Sequence, residues 1–234
     1  MGSPNQLEYI RRHAARLAGP FLEVGAKDYG STQDLRALFL PESRYVGVDL
    51  ALGPGVDRVV DLAADFADVD AALGHARFGT VFCLSVLEHC RRPFRMAENI
   101  TRLLAPEGTL VVAVPFAFKY HPYPADYWRF TPDGVRGLFG RLEFADRDAA
   151  LATTLPGALT PLDGELGRIV FSAKAHRRGG HPLRAISAKM LSLAAKAGVL
   201  KWLAGYRYVL PPTEILMIGS PRADAPRAGP TTSG

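Results

Sequence analysis

Along the first 140 residues, nearly continuous apolar runs alternate with stretches whose apolar positions recur every three or four residues. FLEVG (21–25), YVGVDL (45–50), RVVDL (58–62), TVFCL (80–84) and TLVVAVP (109–115) are rich in Val, which predicts strands buried on both faces. Helical periodicity is read before the first strand and near 32–39, 65–75 and 92–104. This alternation predicts an α/β architecture, doubly wound, with a mostly parallel sheet and helices on both faces. Further along, Thr131-Pro132 is a helix start, threonine capping and proline opening the first turn. LEFADRD (142–148) and TEILMIGSP (213–221) read as two more strands, about sixty residues apart. Between them Leu183, Ile186, Met190, Leu193, Ala197, Leu200 and Ala204 form one apolar stripe on one helix. The expected organisation is a domain of residues 1–150 plus 213–221, a basic helical insertion at 151–212, and a disordered, proline-rich tail at 222–234.

Composition adds little except where charge is concentrated. The 234 residues suffice for a full core, and 48% hydrophobic with 22% charged is ordinary for a globular chain. No apolar run is long enough to span a bilayer, and the N-terminal segment lacks the apolar core of a signal peptide. That segment is read as a structural helix. Cys83 and Cys90 match no zinc or redox spacing, so the expected location is the reduced cytoplasm. Nine Lys or Arg and no acidic residue lie between Glu165 and Glu214, so the net charge of +5 belongs to that segment. Three roles stay open for 168–207: a lid, a contact in a homodimer, or contact with an anionic membrane surface without insertion. Nucleic acid is not expected, because no recognised module accompanies the charge.

Candidate chemistry begins at the first strand. Gly25 opens a loop in which backbone amides can approach a ligand closely. Glu23 precedes it, a charge ill suited to a pyrophosphate but suited to a ligand bearing an ammonium and a sulfonium. Asp49 ends the second strand, where a carboxylate can accept both hydroxyls of a ribose. Lys27 argues the other way, as a cation for phosphate or a ligand carboxylate. The absence of a G-x-G-x-x-G pattern counts against a nucleotide-dependent oxidoreductase.

FLEVGAKDYG, YVGVDL, VVDLAADF, TVFCLSVLEHCRRPFRMAENITRLLAPEGTLVVAVP and DYWRFTPDGVRGLF together resemble the class I S-adenosylmethionine-dependent methyltransferases, in their small-molecule branch with a VLEH turn. The resemblance covers roughly residues 20–148 and the last strand. It implies a seven-strand sheet with an antiparallel final pair, and S-adenosyl-L-methionine as cofactor. It carries Glu23 and Gly25 onto the first motif, with Ala26 and Lys27 in the loop. Asp49 and Leu50 fall on the ribose position, Asp61 and Leu62 on the adenine segment, and Leu84 on the methionine position, while His89 caps the pocket. Two positions depart from the pattern: Lys27 replaces a glycine, and Gly79 stands where an Asp is usual, a change read as affecting only capping.

The acceptor side is read from PFAFKYHPYPADYWRF (115–130), which follows the fifth strand. Phe116, Tyr123, Tyr127, Trp128 and Arg129 are expected to meet a small-molecule methyl acceptor. Histidine is the side chain suited to general-base work at neutral pH, so His121 is read as base or substrate contact, with Asp126 to orient it or to bind a substrate hydroxyl. Some relatives in the resembled family carry a metal on Glu and His of the segment that holds Glu88-His89. Here Ser85 occupies the first acidic position, so no metal is expected. The activity implied is methyl transfer to a hydroxyl oxygen of a metabolite or sugar, with nitrogen or carbon transfer, or a silent binding scaffold, as alternatives.

Overall fold

The Val-rich runs assemble side by side in the computed structural model, which describes residues 3–30, 35–39, 44–170, 172–199 and 208–222. Strands β1 (Phe21–Val24), β2 (Tyr45–Asp49), β3 (Arg58–Val59), β4 (Phe78–Leu84) and β5 (Leu104–Ala117) form the parallel part of one sheet. Helix α1 (Pro4–His13) precedes them, and α2 (Phe66–Ala72), α3 (Pro93–Leu103) and α4 (Pro132–Leu138) follow in turn. Next come β6 (Leu142–Phe144), β7 (Ala150–Thr153), β8 (Leu159–Pro161) and β9 (Ile169–Val170), then α5 (Ala173–Arg178), α6 (Pro182–Lys196), β10 (Tyr208–Val209) and β11 (Thr213–Pro221).

The main sheet runs β3-β2-β1-β4-β5-β11-β7-β8, with β6 also paired to β11. Among the described residues that is nine strands rather than seven. The antiparallel pairing of β6 with β11 follows the expectation and β11 also pairs antiparallel with β5, while β7 and β8 are additions whose short runs give no clear period. They lie inside the span expected to be helical, and among the described residues the helices of that insertion fall within 173–196, with the small β9–β10 ribbon on either side in sequence. The helix expected near 32–39 is a single 3₁₀ turn at Arg36–Leu38, with 31–34 outside the described residues. The expected tail also lies outside them, from residue 223 on.

Strand periodicity divides the core. Leu22, Val24, Val48, Cys83 and Val112 pack on one face against α2, α3 and α4, whereas Phe21, Tyr45, Phe82, Leu84 and Val111 pack on the other with Leu7, Tyr9 and Ile10 of α1. Thr131 caps α4 by accepting from the Gly134 amide, with Pro132 in the first turn. Ser3 and Gln6 form a capping box at the start of α1. Gly79 has a packing reason that its sequence position hides. A Cβ there would lie 2.5 Å from the Ala18 carbonyl oxygen, so two backbones cross where the resembled family carries a side chain.

Helix α6 differs from its expected packing. The stripe residues Leu183, Ile186, Met190 and Leu193 are exposed, and the buried positions are Ala185 and Ala188. Leu200 and Ala204 lie outside the described residues. Among the described residues no helix is long and apolar enough to cross a membrane.

Candidate active site

The carboxyl ends of the parallel strands open into a cavity of about 1090 Å³. Its β1–β2–β3 side is built as the strand ends require. Gly25 adopts a left-handed backbone (φ 71°), and a Cβ there would come within 2.6 Å of Val86 Cγ2, so the loop closes on the turn after β4 only as glycine. The Lys27 amide donates to Asp49 Oδ2 at 3.3 Å and the Ala51 amide to Asp49 Oδ1 at 3.2 Å. Asp61 accepts from the Ala63 amide at 2.8 Å. Asn99 of α3, fully buried, donates to the Leu62 and Ala64 carbonyls and fixes that segment. Gly25, Asp49, Leu50, Asp61, Leu62 and His89 all line the cavity.

Four residues expected to hold cofactor do not line it: Glu23, Ala26, Lys27 and Leu84. Parity along the strand explains Glu23. Val24 faces the cavity, so Glu23 lies with Phe21 on the α1 side, where it accepts from the Tyr45 hydroxyl at 2.7 Å. Ala26 and Lys27 contribute backbone amides to Val48 and Asp49, and the Lys27 ammonium lies 5.4 Å from the Tyr29 ring. Leu84 is core, and the cavity instead meets Ser85 and Val86.

The other side of the cavity comes from the turn after β4, the loop after β5, and α1, β7 and β11. His121, Tyr123 and Tyr127 line it as expected, with Phe118 in place of Phe116, which packs on the core. Trp128 donates its indole N–H to the Cys90 carbonyl at 2.8 Å, a loop anchor away from the cavity lining. Arg129 also stays out of the cavity and grips Asp126 with two bonds of 2.5 and 2.7 Å. The Asp126 side chain is 1% exposed and faces His121, accepting from its backbone amide at 2.9 Å and lying 3.1 Å from its Nδ1. Hydrogen bonding from Arg129 holds the Asp126 carboxyl well below the usual range.

Sequence reasoning missed Gln6, Ser85 and Glu214. Gln6 donates its side-chain amide to Glu214 and to Ser85, and the Ser85 hydroxyl donates to Glu214 at 3.1 Å. All three line the cavity, as do Ser3, Pro4 and Asn5, so the helix read as structural forms a wall of the site. Burial pushes the Glu214 carboxyl up to about 7, against hydrogen bonds from Gln6 and Ser85. Glu88, also cavity-lining, is pushed up to about 8, chiefly by burial and further by Glu214. The signal available for Glu214 was a lone carboxylate at the head of an otherwise apolar strand.

Residues 22–112 match the family model described as a methyltransferase domain. No curated protein matches the chain. Among solved structures, a protein of Bacillus halodurans C-125 assigned to the methyltransferases is 14% identical, with a TM-score of 0.53 over 92% of this chain and 98% of that one. The 4+2 cyclase SpnF is 13% identical, with a TM-score of 0.52 over 93% of this chain and 81% of that one. The 1,6-didemethyltoxoflavin-N1-methyltransferase of Burkholderia thailandensis, solved with 1,6-didemethyltoxoflavin and S-adenosylhomocysteine, is 13% identical, with a TM-score of 0.49 over 94% of this chain and 78% of that one. At these identities the likeness is one of fold. The matched domain, with its Rossmann-like sheet and the carboxylates at its strand ends, makes the protein a methyltransferase. The cofactor that the sequence resemblance implies is S-adenosyl-L-methionine. The residues fit that cofactor: Asp49 and Asp61 keep acceptor capacity on the cavity, Leu62 and Met96 give an apolar wall, and Gly25 leaves room beside Val86.

Proposed function

We propose that the protein transfers a methyl group to a hydroxyl oxygen of a small molecule in the cytoplasm. The cofactor supplies an electrophilic methyl on a sulfonium. Asp49 binds its ribose, and the Asp61–Leu62 segment binds its adenine. The observation that carries the acceptor assignment is the Asp126–His121 couple on the cavity side formed by the β4 turn, the β5 loop and β11. Asp126 fixes Nδ1 as the protonated nitrogen and leaves the Nε2 lone pair for chemistry at an acceptor hydroxyl. Phe118, Tyr123 and Tyr127 give that end an apolar wall suited to an organic ring. Water exclusion favours attack on the methyl by the acceptor, and α1 contributes by closing one wall of the cavity.

The test is S-adenosylhomocysteine release on a panel of hydroxylated aromatics, sugars and matching amines. Turnover confined to hydroxyl compounds is expected. Buried Glu88 and the neighbouring cavity carboxyl of Glu214 favour one other reading, a cationic amine as acceptor, and turnover confined to amines would establish it. His121→Ala is expected to lower kcat at least about tenfold while leaving S-adenosylhomocysteine affinity within about twofold, measured by steady-state kinetics and calorimetry. Unchanged kcat would remove His121 from the chemistry.

A further inference from the structure

One carboxylate oxygen in the cavity wall has no partner. Glu88 is 1% exposed, and its Oε2 receives no hydrogen bond from any described residue. A buried acceptor left in this state costs free energy unless something outside the chain meets it. Two imidazoles stand beside it. One ligand atom from each of Glu88, His89 and His121 lies within 4.8 Å of the other two.

The histidines are already oriented. His89 Nδ1 lies 2.6 Å from the Ala125 carbonyl, so it carries the proton and donates, which leaves Nε2 as the atom with a lone pair, 3.9 Å from Glu88 Oε1. His121 Nδ1 is bound by Asp126, itself gripped by Arg129, so its Nε2 is also free to ligate. A carbonyl or carboxylate behind the distal nitrogen is what fixes the tautomer and ring direction of metal-bound histidines. The two rings meet edge to face, with centroids 5.0 Å apart, so both can direct a nitrogen toward a common point without stacking. The backbone braces the same corner, since the Tyr127 amide donates to the Glu88 carbonyl at 2.8 Å.

We propose that Glu88, His89 and His121 bind one divalent first-row transition metal ion, Zn²⁺ or Mn²⁺ in class. Two neutral imidazoles and one carboxylate suit these ions, and three protein ligands leave coordination positions open. The open positions face the cavity, because all three residues line it. The expectation of no metal rested on Ser85 at one end of a local motif. His121 replaces the missing ligand from a different loop, 32 positions beyond His89 in the sequence. This inference rests on the oxygen-acceptor reading only for the ion's use: a metal here would hold an acceptor hydroxyl through oxygen and ease its deprotonation, and His121 Nε2, its lone pair on the ion, would then serve as ligand in place of base. Metal binding itself does not depend on that reading.

The test uses the full-length protein, stripped with a chelator and equilibrated with ZnCl₂, MnCl₂ or CoCl₂. Bound metal is counted by elemental analysis, without acceptor present. About one equivalent of Zn²⁺ or Mn²⁺ is expected, with affinity lowered at least about a hundredfold in Glu88→Gln and His121→Ala. Asp126→Asn, a positioning change, is expected to lower it about tenfold to a hundredfold. Bound Co²⁺ should show visible ligand-field bands that change in His121→Ala. Each variant is first titrated with S-adenosylhomocysteine, so that a misfolded one is set aside, and His121, only partly buried, keeps the test available if Glu88→Gln does not fold. Less than about a tenth of an equivalent in the parent, or equal binding in His121→Ala, overturns the proposal. Metal binding without turnover of any hydroxyl compound would leave the site standing and remove the oxygen-acceptor reading instead.

Discussion

Glu214 heads a strand that is otherwise apolar, and keeping a carboxyl there has a measurable consequence. Its folded pKa is about 7 against an ordinary 4.5, so the folded state binds more protons than the unfolded one between those values. Stability from this group is fully present below about pH 4.5 and falls as pH rises through about 7. Glu214→Gln keeps acceptor and donor atoms for Gln6 and Ser85 but removes the buried charge. It is expected to raise stability at pH 8 by about 2–3 kcal/mol, with the difference vanishing near pH 4.5. Urea unfolding at the two pH values measures this, and a difference that does not change with pH would show that Glu214 titrates in the native state as it does in the unfolded chain. Asp49 and Asp61 were legible from sequence because each follows a strand whose end must face the crevice. Gln6 and Glu214 were not, because their meeting joins positions 208 apart in the chain through an antiparallel strand inserted beside β5. Glu23 misled for a simpler reason: within a four-residue strand, one step of parity decides which side of the sheet a charge reaches.

Strands and turns show what pattern reading captures at the element scale. Continuous Val-rich runs identified β1, β2, β4 and β5 because a strand buried on both faces leaves few other sequences available. The start of β5 is less regular. Pairing with β4 shifts register between Phe78 and Thr80, so the Ala105–Gly108 segment is accommodated as an irregularity that apolar counting passes over. β7 and β8 are too short to carry a period, and pairing to β11 rather than composition makes them strands. Gly79 belongs to this scale also. Gly79→Ala is expected to destabilise the protein by about 1–3 kcal/mol, because its Cβ meets two carbonyl oxygens of the Ala18–Gly19 backbone, which cannot rotate away as a side chain would. Equal urea midpoints for the variant and the parent would mean that the β4 and Ala18 backbones part at little cost.

For the whole molecule, ligand and fold are coupled because the cavity is walled by elements from both ends of the chain, α1 at one and β11 at the other. S-adenosylhomocysteine at a hundred times its Kd should stabilise the native state by about 2.7 kcal/mol. For a chain of this size that is a rise in Tm of roughly 5–10 °C. In Asp49→Ala the affinity should fall at least about tenfold, and the same ligand concentration should give a correspondingly smaller shift. An unaltered shift would take Asp49 out of the ribose site. The two thiols give the molecule a built-in gauge of occupancy. Cys83 is sealed in the core, and burial pushes its thiol far up; Cys90 is also pushed up by burial but lines the cavity. Thiol reagents should therefore label one cysteine slowly in the native protein and two after unfolding. Bound S-adenosylhomocysteine should slow that single reaction, so a colorimetric thiol assay can report how full the site is without a substrate, a label or a mutation.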